Sequence, residues 1–600
     1  MKLSDRQWSV CAIAADVSGG VRSAEAVARE ALSRARDYDK IQPQAWICRS
    51  TDEDVLAQAE RIDRRIAAGE SLPLAGVPVA IKDNIDVLGL ETTAACPAFA
   101  YRPERSAPVV ERLTDAGALI LGKTNLDQFA TGLVGTRSPY GAPGCVFNRE
   151  YVSGGSSSGS AVLVGAGVVP LALGTDTAGS GRVPAAFNHL IGFKPTKGRW
   201  STRGLVPACR SLDCITTLTA NAADAARVDS VLTHFDREDP FARRPPARTP
   251  AIGAQFRLGV PRAAELRDLA PEDASCFAKA VAHLQAIGAT PVEVSVARFL
   301  EAARLLYGGP WVAERTEVVE PLLQRNPGAI HPVVHAIVQA GKGISAVDAF
   351  RGLYALQGYA RTAEELWDEI DVLVLPTTPT IYRISELLAD PVALNARLGL
   401  YTNFVNLLDM SAIAVPAGFR SNATGVGVSL IGPAWCDAGL LDLAARYEEV
   451  LELPTPPGLD LESRPARVQL GVVGAHLAGM PLHWQLTSRG ARFVQRTRTA
   501  PVYRLYAMTS QSPAKPALVH AGFEGAAIEV EVYELDVAAF GSFVSEVPPP
   551  LAIGTVTLTD GSNIKGFLAE PRAIVGALDI TAKGGWRAYL EHSAAVGASS

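Results

Sequence analysis

The sequence has few cysteines and no spacing between them that suggests a metal or redox site. Its 8 cysteines are scattered, no CxxC pair occurs, and none follows Cys436. A disulfide framework is therefore not expected, and a reducing compartment such as the cytoplasm fits this cysteine usage best.

Long apolar runs and an excess of basic charge are also missing. The most apolar stretch, 161–173, is interrupted by glycines and a proline and is too short to cross a bilayer. The amino terminus carries charged residues before any apolar run, so we expect neither a targeting segment nor membrane association. The formal net charge is -6 with both signs interspersed, which predicts no nucleic-acid partner.

The first three quarters of the chain alternate between helical and strand patterns. Residues 1–70 show helical spacing, with Ser23 as a cap. Short apolar runs at 76–81, 118–121, 168–173, 371–376 and 411–416 predict buried strands, whereas 256–370 reads as helical. We predict an α/β domain over residues 1–455, with a mixed central β-sheet covered by helices on both faces.

A proline-rich and charged stretch at 456–467 predicts a linker. Beyond it, residues 468–600 contain short β-rich runs, such as 527–535 and 553–558, and a turn at Asp560-Gly561. These runs predict a separate, small α+β domain.

Two segments rich in glycine and serine carry the strongest chemical signal. They are Gly154-Gly-Ser-Ser-Ser-Gly-Ser160 and Gly174-Thr-Asp-Thr-Ala-Gly-Ser-Gly181, and no GxxxxGK[ST] motif accompanies them, so a phosphate-binding P-loop is not expected. Together with Lys82-Asp83-Asn84 after an apolar run, they resemble the amidase signature family. In that family two serines stand 24 residues apart, as Ser156 and Ser180 do.

The resemblance implies that Ser180 is the nucleophile and that Lys82 is the general base. It also implies that Ser156, which is held on a cis peptide bond, relays the proton between them. A serine hydroxyl attacks a carbonyl only when a base takes its proton. A free lysine has a pKa of roughly 10.4, so Lys82 must be desolvated to serve near neutral pH. The oxyanion hole would be formed by the backbone amides of Thr177, Ala178, Gly179 and Ser180.

Other polar residues of these loops are expected to be structural. Asp176 and Arg182 are predicted to brace the second loop through a charge-assisted contact. Ser157, Ser158 and Ser160 are predicted to be hydrogen-bonding residues that take no part in catalysis. Since only His189 lies in the signature region, a Ser-His-Asp triad is not expected.

Segments 305–315 and 401–409 and the additional domain resemble the allophanate hydrolases, a branch of the same family, over essentially the whole chain. This resemblance implies an amidohydrolase whose small anionic substrate is bound by Tyr307, Arg315 and the backbone near Gly132. A helix would place Tyr307 and Arg315 two turns apart on one face. The implied reaction hydrolyses the terminal amide to N-carboxycarbamate and ammonia, without a cofactor.

The resemblance gives the last domain a γ-glutamylcyclotransferase-like fold that assists decarboxylation to carbon dioxide and ammonia. His476, in Gly474-Ala-His-Leu-Ala-Gly-Met480, is a candidate acid or base there, and a structural role is equally open. A homodimer is also implied. Because the chain has no biotin-attachment motif, we expect a functional link to a separate urea carboxylase or biuret hydrolase.

Three alternatives stay open at this point: a malonamidase-like enzyme, the glutaminase component of an amidotransferase, and a last domain that serves only for binding or assembly. A metal site is not predicted, because His331 and His335 share a helical spacing but have no third ligand nearby.

Overall fold

The computed structural model describes residues 8–451, 467–489, 491–508 and 513–597. The chain divides into two units, Met1–Leu459 and Asp460–Ser600. The predicted linker, 456–467, lies outside the described residues except for its last position. Its form therefore stays a prediction.

A mixed sheet of eleven strands forms the centre of the first unit. The strands are β1 Trp46–Arg49, β2 Pro78–Lys82, β3 Leu119–Thr124, β4 Leu171–Asp176, β5 Ile191–Lys194, β6 Cys214–Thr219, β7 Phe256–Pro261, β8 Ala289–Val294, β9 Val372–Pro376, β10 Ser411–Phe419 and β11 Gly425–Gly432. Their order across the sheet is β1-β3-β2-β4-β6-β5-β10-β11-β9-β7-β8. Strands from the two ends of the unit thus join one sheet, as the sequence predicts.

Helices flank this sheet. They are α1 Val10–Ser18, α2 Ala24–Asp39, α3 Asp52–Ala67, α4 Pro108–Asp115, α5 Ser158–Gly165, α6 Arg182–Phe187, α7 Ala222–Leu232, α8 Pro271–Ala286, α9 Ala297–Gly308, α10 Trp311–Arg325, α11 Pro332–Gly341, α12 Ala346–Glu369, α13 Ile384–Ala389, α14 Ala393–Leu398, α15 Phe404–Leu407 and α16 Asp437–Val450. The Ser23 hydroxyl caps α2 by accepting from the Ala26 amide. No helix in the described ranges is long and apolar enough to span a membrane.

The prediction of a helical segment over 256–370 is wrong at two places. Strands β7 and β8 lie there, pair in parallel and form one edge of the sheet. Exposed residues interrupt both strands, and a broken apolar run does not reveal whether it forms a strand or part of a helix.

Strands β2 and β4 determine where the chemical groups lie. They are parallel neighbours, with Ile81 opposite Leu173, and every residue of both strands is buried. The carboxyl ends of neighbouring parallel strands meet at one edge of a sheet. Lys82 ends β2 and Asp176 ends β4, so both lie at that edge.

The second unit contains two small sheets. Its elements are β12 Arg467–Val472, α17 Trp484–Thr487, β13 Arg492–Arg498, β14 Tyr503–Met508, β15 Lys515–His520, β16 Glu529–Asp536, α18 Val537–Ser545, β17 Leu551–Thr557, β18 Asn563–Ala569, β19 Leu578–Asp579 and α19 Trp586–Gly597. The strand orders are β13-β16-β12-β18-β17 and β15-β14-β19. This is the small α+β architecture that the sequence predicts.

Candidate active site

Lys82 is fully buried and surrounded by hydroxyl groups. Its Nζ lies 2.7 Å from Ser156 Oγ, 2.7 Å from Thr175 Oγ1 and 3.0 Å from Ser157 Oγ. Within the described ranges it forms no ion pair with a carboxylate. Sequence reasoning missed Thr175, although its position one residue before Asp176, in the second segment rich in glycine and serine (174–181), could have suggested it.

Burial lowers the pKa of Lys82 to about 7, and the charges of Asp127, Asp213 and Asp176 only partly oppose this effect. An ammonium group that loses hydration without gaining a counter-ion gives up its proton readily. The environment therefore makes Lys82 a base close to neutral pH, as the proposed chemistry requires.

The loop that carries Ser156 is held by Asp127. The peptide bond between Gly155 and Ser156 is cis, as the family resemblance implies. The Asp127 amide donates to Ser156 O at 3.2 Å. A Cβ atom at position 155 would lie 2.1 Å from Asp127 Oδ2, so only glycine fits there.

Asp127 itself is fixed by backbone amides. Its carboxylate accepts from the amides of Val134, Gly135 and Arg137 at 3.0 to 3.1 Å. A buried carboxylate held in this way cannot easily change position. Asp127 is a residue that sequence reasoning missed, because no motif marks it.

Ser180 lies just before α6 and is 2% exposed. Its hydroxyl donates to Gly132 O at 3.3 Å, and its own carbonyl accepts from the Ser157 amide at 3.3 Å. Among the residues that the structure describes, no hydrogen bond joins the hydroxyls of Ser156 and Ser180. The structure thus brings the two loops together but does not show this step of the predicted relay.

The predicted brace of the second loop is confirmed. The guanidinium of Arg182 donates to both oxygens of Asp176, at 2.9 and 3.0 Å, and both side chains are fully buried. Burial alone would raise the pKa of Asp176, but Arg182 and the Gly179 amide hold this pKa below its usual value. The loop therefore rests on a fixed, charged pair.

The four predicted oxyanion donors differ in their surroundings. The Gly179 amide donates to Asp176 Oδ1 at 2.7 Å, so in this structure it is not available to an oxyanion. The amides of Thr177, Ala178 and Ser180 have no acceptor in the described part of the chain. Sequence reasoning could not foresee this difference, because it depends on the direction of each peptide in the turn.

Asp213, just before β6, holds the start of the loop 177–181. The sequence did not predict this role. It accepts a hydrogen bond from the Thr177 hydroxyl and further bonds from the amides of Ala208, at 2.8 Å, and Cys209, at 3.3 Å. Burial raises the pKa of Asp213 to about 6 despite these donors. Asp213 is separated from Thr177 by 36 residues, and no local pattern links the two.

Tyr307 and Arg315 do not share one helix. Helix α9 ends at Gly308, Gly309 is extended, and α10 begins at Trp311, so the predicted arrangement on one helix face is wrong. The two side chains still meet, because the Arg315 guanidinium lies 5.0 Å from the centre of the Tyr307 ring. Gly309 and Pro310 interrupt the helix between them.

Arg315 also connects to the segment beside Ser180. It is 2% exposed, and its Nη1 donates to Thr131 Oγ1 at 3.3 Å, one residue before Gly132. Its Nε has no acceptor among the described residues. The predicted binding residues therefore lie next to the predicted nucleophile. The Nε of Arg315 is a buried donor that can bind a substrate acceptor.

In the second unit, His476 lies between aromatic rings. It stacks on Phe567 with ring centres 5.0 Å apart, contacts Phe543 edge-on, and shares a 2.8 Å hydrogen bond with Gln485 Oε1. Burial lowers the pKa of His476, which favours the neutral ring. Both roles considered for His476 stay open.

Glu531 on β16 holds the loop that contains His476. Its carboxylate accepts from the Ala478 amide at 2.7 Å, from the Tyr533 hydroxyl at 3.1 Å, and from two arginines, Arg496 and Arg587, at 2.8 and 2.9 Å. The Arg587 guanidinium also donates to the Ala478 carbonyl at 2.8 Å. Both polar groups of residue 478 are thus fixed.

The two histidines considered as metal ligands, His331 and His335, lie at and near the start of α11. The Nδ1 of His331 accepts from the Val333 amide at 3.3 Å at the start of α11, which is a structural role. In the described part of the chain, no group of three or more His, Cys, Asp or Glu side chains is arranged to hold a metal ion.

Comparison with family models gives two matches along the chain. The model described as "Amidase" matches residues 27–441, and the model described as "Allophanate hydrolase C-terminal domain" matches residues 468–591. The second match covers the domain predicted after the linker.

The similar proteins fall into two groups. The urea amidolyase of Saccharomyces cerevisiae is 44% identical over 572 residues, which are 91% of this chain but 31% of that protein. The solved structure of Kluyveromyces lactis allophanate hydrolase is 41% identical, with a TM-score of 0.66 over 98% of this chain and 99% of that chain. In the other group, a glutamyl-tRNA(Gln) amidotransferase chain of Symbiobacterium thermophilum is 36% identical over 487 residues, 75% of this chain and 97% of that protein. The chain therefore spans about a third of the urea amidolyase that it matches.

Proposed function

This chain belongs to the amidase family, and we propose that it hydrolyses the terminal amide of allophanate through a serine acyl-enzyme. The observation that carries the proposal is the presence of both family matches, 27–441 and 468–591, in one chain. The amidotransferase chain matches only 75% of this chain, whereas the allophanate hydrolase of K. lactis matches 98%. The second unit therefore favours allophanate over glutamine as the substrate.

In the proposed acylation, Ser180 Oγ attacks the carbonyl carbon of the terminal amide. The Ser180 proton passes to Ser156, and the Ser156 proton passes to the neutral amine of Lys82. The contact of 2.7 Å between Lys82 Nζ and Ser156 Oγ supports this route. The amides of Thr177, Ala178 and Ser180 are the proposed donors to the oxyanion.

The intermediate then collapses, the C–N bond breaks, and the leaving nitrogen takes the proton back from Lys82 through Ser156, so that ammonia departs. Water attacks the acyl-enzyme with the same groups acting as the base, which releases N-carboxycarbamate and restores Ser180. Protonation of the nitrogen and loss of one carbon dioxide from this product, assisted by the second unit with His476 as its candidate acid or base, leave carbamate. The carbamate takes up a further proton and breaks down to the second ammonia and the second carbon dioxide.

Arg315 and Tyr307 are the proposed substrate-binding side chains, together with the backbone of Gly132. Allophanate carries a carboxylate, and a buried guanidinium with an unsatisfied Nε suits it. The Tyr307 ring restricts the guanidinium from one side. This arrangement favours anionic amides over neutral ones.

The proposal also includes the compartment, the oligomeric state and the source of the substrate. We propose a cytoplasmic homodimer that receives allophanate from a urea carboxylase or a biuret hydrolase activity. The name of the yeast relative, urea amidolyase, supports the link to urea degradation.

The test is ammonia release from allophanate, biuret, malonamate and glutamine by the wild type, Ser180→Ala and Ser158→Ala. We expect activity with allophanate that falls by at least about 10⁴-fold in Ser180→Ala. Ser158→Ala is the matched control, because this buried hydroxyl donates to Asn125 O, at 3.2 Å, and to no group of the proposed triad. A preference for malonamate or glutamine would contradict the substrate, and an active Ser180→Ala would contradict the nucleophile.

A further inference from the structure

The first unit contains a cavity of about 530 Å³ that the proposed reaction does not use. It lies between α12 and two loops, 197–213 and 407–409, and its wall contains neither Ser180 nor Lys82 nor Arg315. This volume is in the usual range for small-molecule sites. The cavity is therefore large enough for a ligand of its own.

Three cations and three carboxylates line this cavity. The carboxylates have partners: Asp409 pairs with Arg243, Glu364 with Arg361, and Asp213 accepts from Thr177. Two of the cations have none among the described residues. Lys197 is half-buried, and in the described part of the chain neither Lys197 nor Arg210 forms a hydrogen bond through its side chain or an ion pair. Arg243 is paired with Asp409 at 2.7 Å. Burial lowers the pKa of Lys197, as expected for an ammonium group with no counter-ion in contact.

Apolar side chains form much of the remaining wall, beside Gln357 and Glu364 of α12. Leu356 and Trp367 of α12 line it together with Phe241 and Leu407. A wall of this kind binds the flat or aliphatic body of a ligand, while a few charged groups fix its orientation. An occupant should therefore combine an anionic group with an apolar body.

We propose that this cavity is a second binding site, for a small amphipathic anion whose carboxylate, phosphate or sulfonate group pairs with Lys197 and Arg210 and whose body packs on Trp367. The charge of Asp409 acts on Lys197 from a distance, and an anion in the cavity would add a counter-charge in direct contact with it. The ligand also covers apolar surface on α12.

The same cavity connects to the oxyanion loop through Asp213. Asp213 lines the cavity, but its carboxylate oxygens accept from Thr177, Ala208 and Cys209. Leu407, also in the wall, belongs to the apolar cluster that packs around Ala178. Occupation of the site should therefore change the rate of amide hydrolysis as well as bind a ligand.

The probe for this test is 8-anilinonaphthalene-1-sulfonate, which has one anionic group and a flat apolar body and fluoresces when bound. We expect saturable binding to the full-length protein, and at least about tenfold weaker binding to Lys197→Met. Lys279→Met, at an exposed position on α8, is the matched control and should bind the dye like the wild type. Ala360→Trp, which fills the cavity and keeps every charge, should also abolish the tight binding.

The site is refuted if the wild type binds no dye, or if Lys197→Met and Ala360→Trp both bind it as the wild type does. Because dye binding is measured without substrate, these outcomes are independent of the proposed reaction. At saturating dye we expect the rate of ammonia release to change at least about twofold. An unchanged rate with dye bound would refute the connection through Asp213.

Discussion

The two units bury their central charged groups in opposite ways. In the first unit, the partners of Lys82 are three hydroxyls, and no carboxylate of the described residues pairs with it. In the second unit, Glu531 is buried between Arg496 and Arg587 and accepts a backbone amide as well. Burial would raise the pKa of Glu531, but these donors keep it below its usual value. An amine without counter-charge is ready to exchange protons, whereas a paired carboxylate is a fixed anchor.

The strongest test of this difference is Lys82→Met. We expect kcat/KM for ammonia release to fall by at least about 10⁴-fold, because Lys82 is the proposed base and contacts Ser156. The free energy of unfolding should stay the same or rise, since an apolar chain of similar length replaces a desolvated amine. Rate assays and urea denaturation measure the two effects.

Lys123→Met is the matched control on the neighbouring strand β3. Lys123 is equally buried, but it pairs with Asp83 at 3.1 Å. Its loss leaves a buried carboxylate unpaired, which should cost about 3–5 kcal/mol of unfolding free energy. If the two variants were destabilised alike, the distinction between an unpaired base and a paired anchor would be wrong.

The pH dependence of the reaction should reveal the same base. The pKa of Lys82 is lowered to about 7 by burial, and only the neutral amine can accept a proton. We therefore expect kcat/KM for ammonia release to be constant above pH 7 and to fall about tenfold per pH unit below it. A profile that rises only near the pKa of a free lysine would show that Lys82 is solvated in the working enzyme.

Arg315→Lys should have a smaller effect, confined to substrate binding. Lysine keeps the charge but loses the planar fork that lies over Tyr307, so we expect kcat/KM for allophanate to fall about 30-fold, mainly through KM. Arg304→Lys, at an exposed position on α9, should be neutral. An equal loss with a neutral amide substrate would contradict a role in binding the carboxylate.

The groups proposed for catalysis in the first unit could be recognised in the sequence because their chemistry needs particular residues at fixed spacing. Lys82, Ser156 and Ser180 all lie in local motifs, and so do the glycines that allow the tight approach of their loops. Asp127 and Asp213 could not be predicted, because each acts through backbone amides that come close only when the sheet forms.

The fold shows the same limit. Strands β2, β3, β4, β9 and β10 contain buried apolar runs and were predicted, whereas β7 and β8, which are as long as β3 and β4, were assigned to a helical segment because exposed residues interrupt their apolar runs. The break between α9 and α10 was missed because Tyr307 and Arg315 have a helical spacing across Gly309-Pro310. In the second unit no motif marked Glu531, since two arginines distant in sequence define its role.

Glu531→Gln should have the smallest effect on the release of the first ammonia and should clearly lower the stability of the second unit. Glutamine can still accept the Ala478 amide but cannot pair with Arg496 and Arg587, so we expect the second unit to lose about 2 kcal/mol of unfolding free energy. The loss stays below that of a fully buried pair because Arg496 is half exposed. Hydrogen exchange at 475–480 should quicken, while release of the first ammonia from allophanate should not change.

Glu524→Gln, whose pair with Arg504 is exposed, is the control and should leave both measurements unchanged. Slower release of the first ammonia in Glu531→Gln would show that the ion pairs of the second unit support the chemistry of Lys82, and that the two arrangements of charge are not independent.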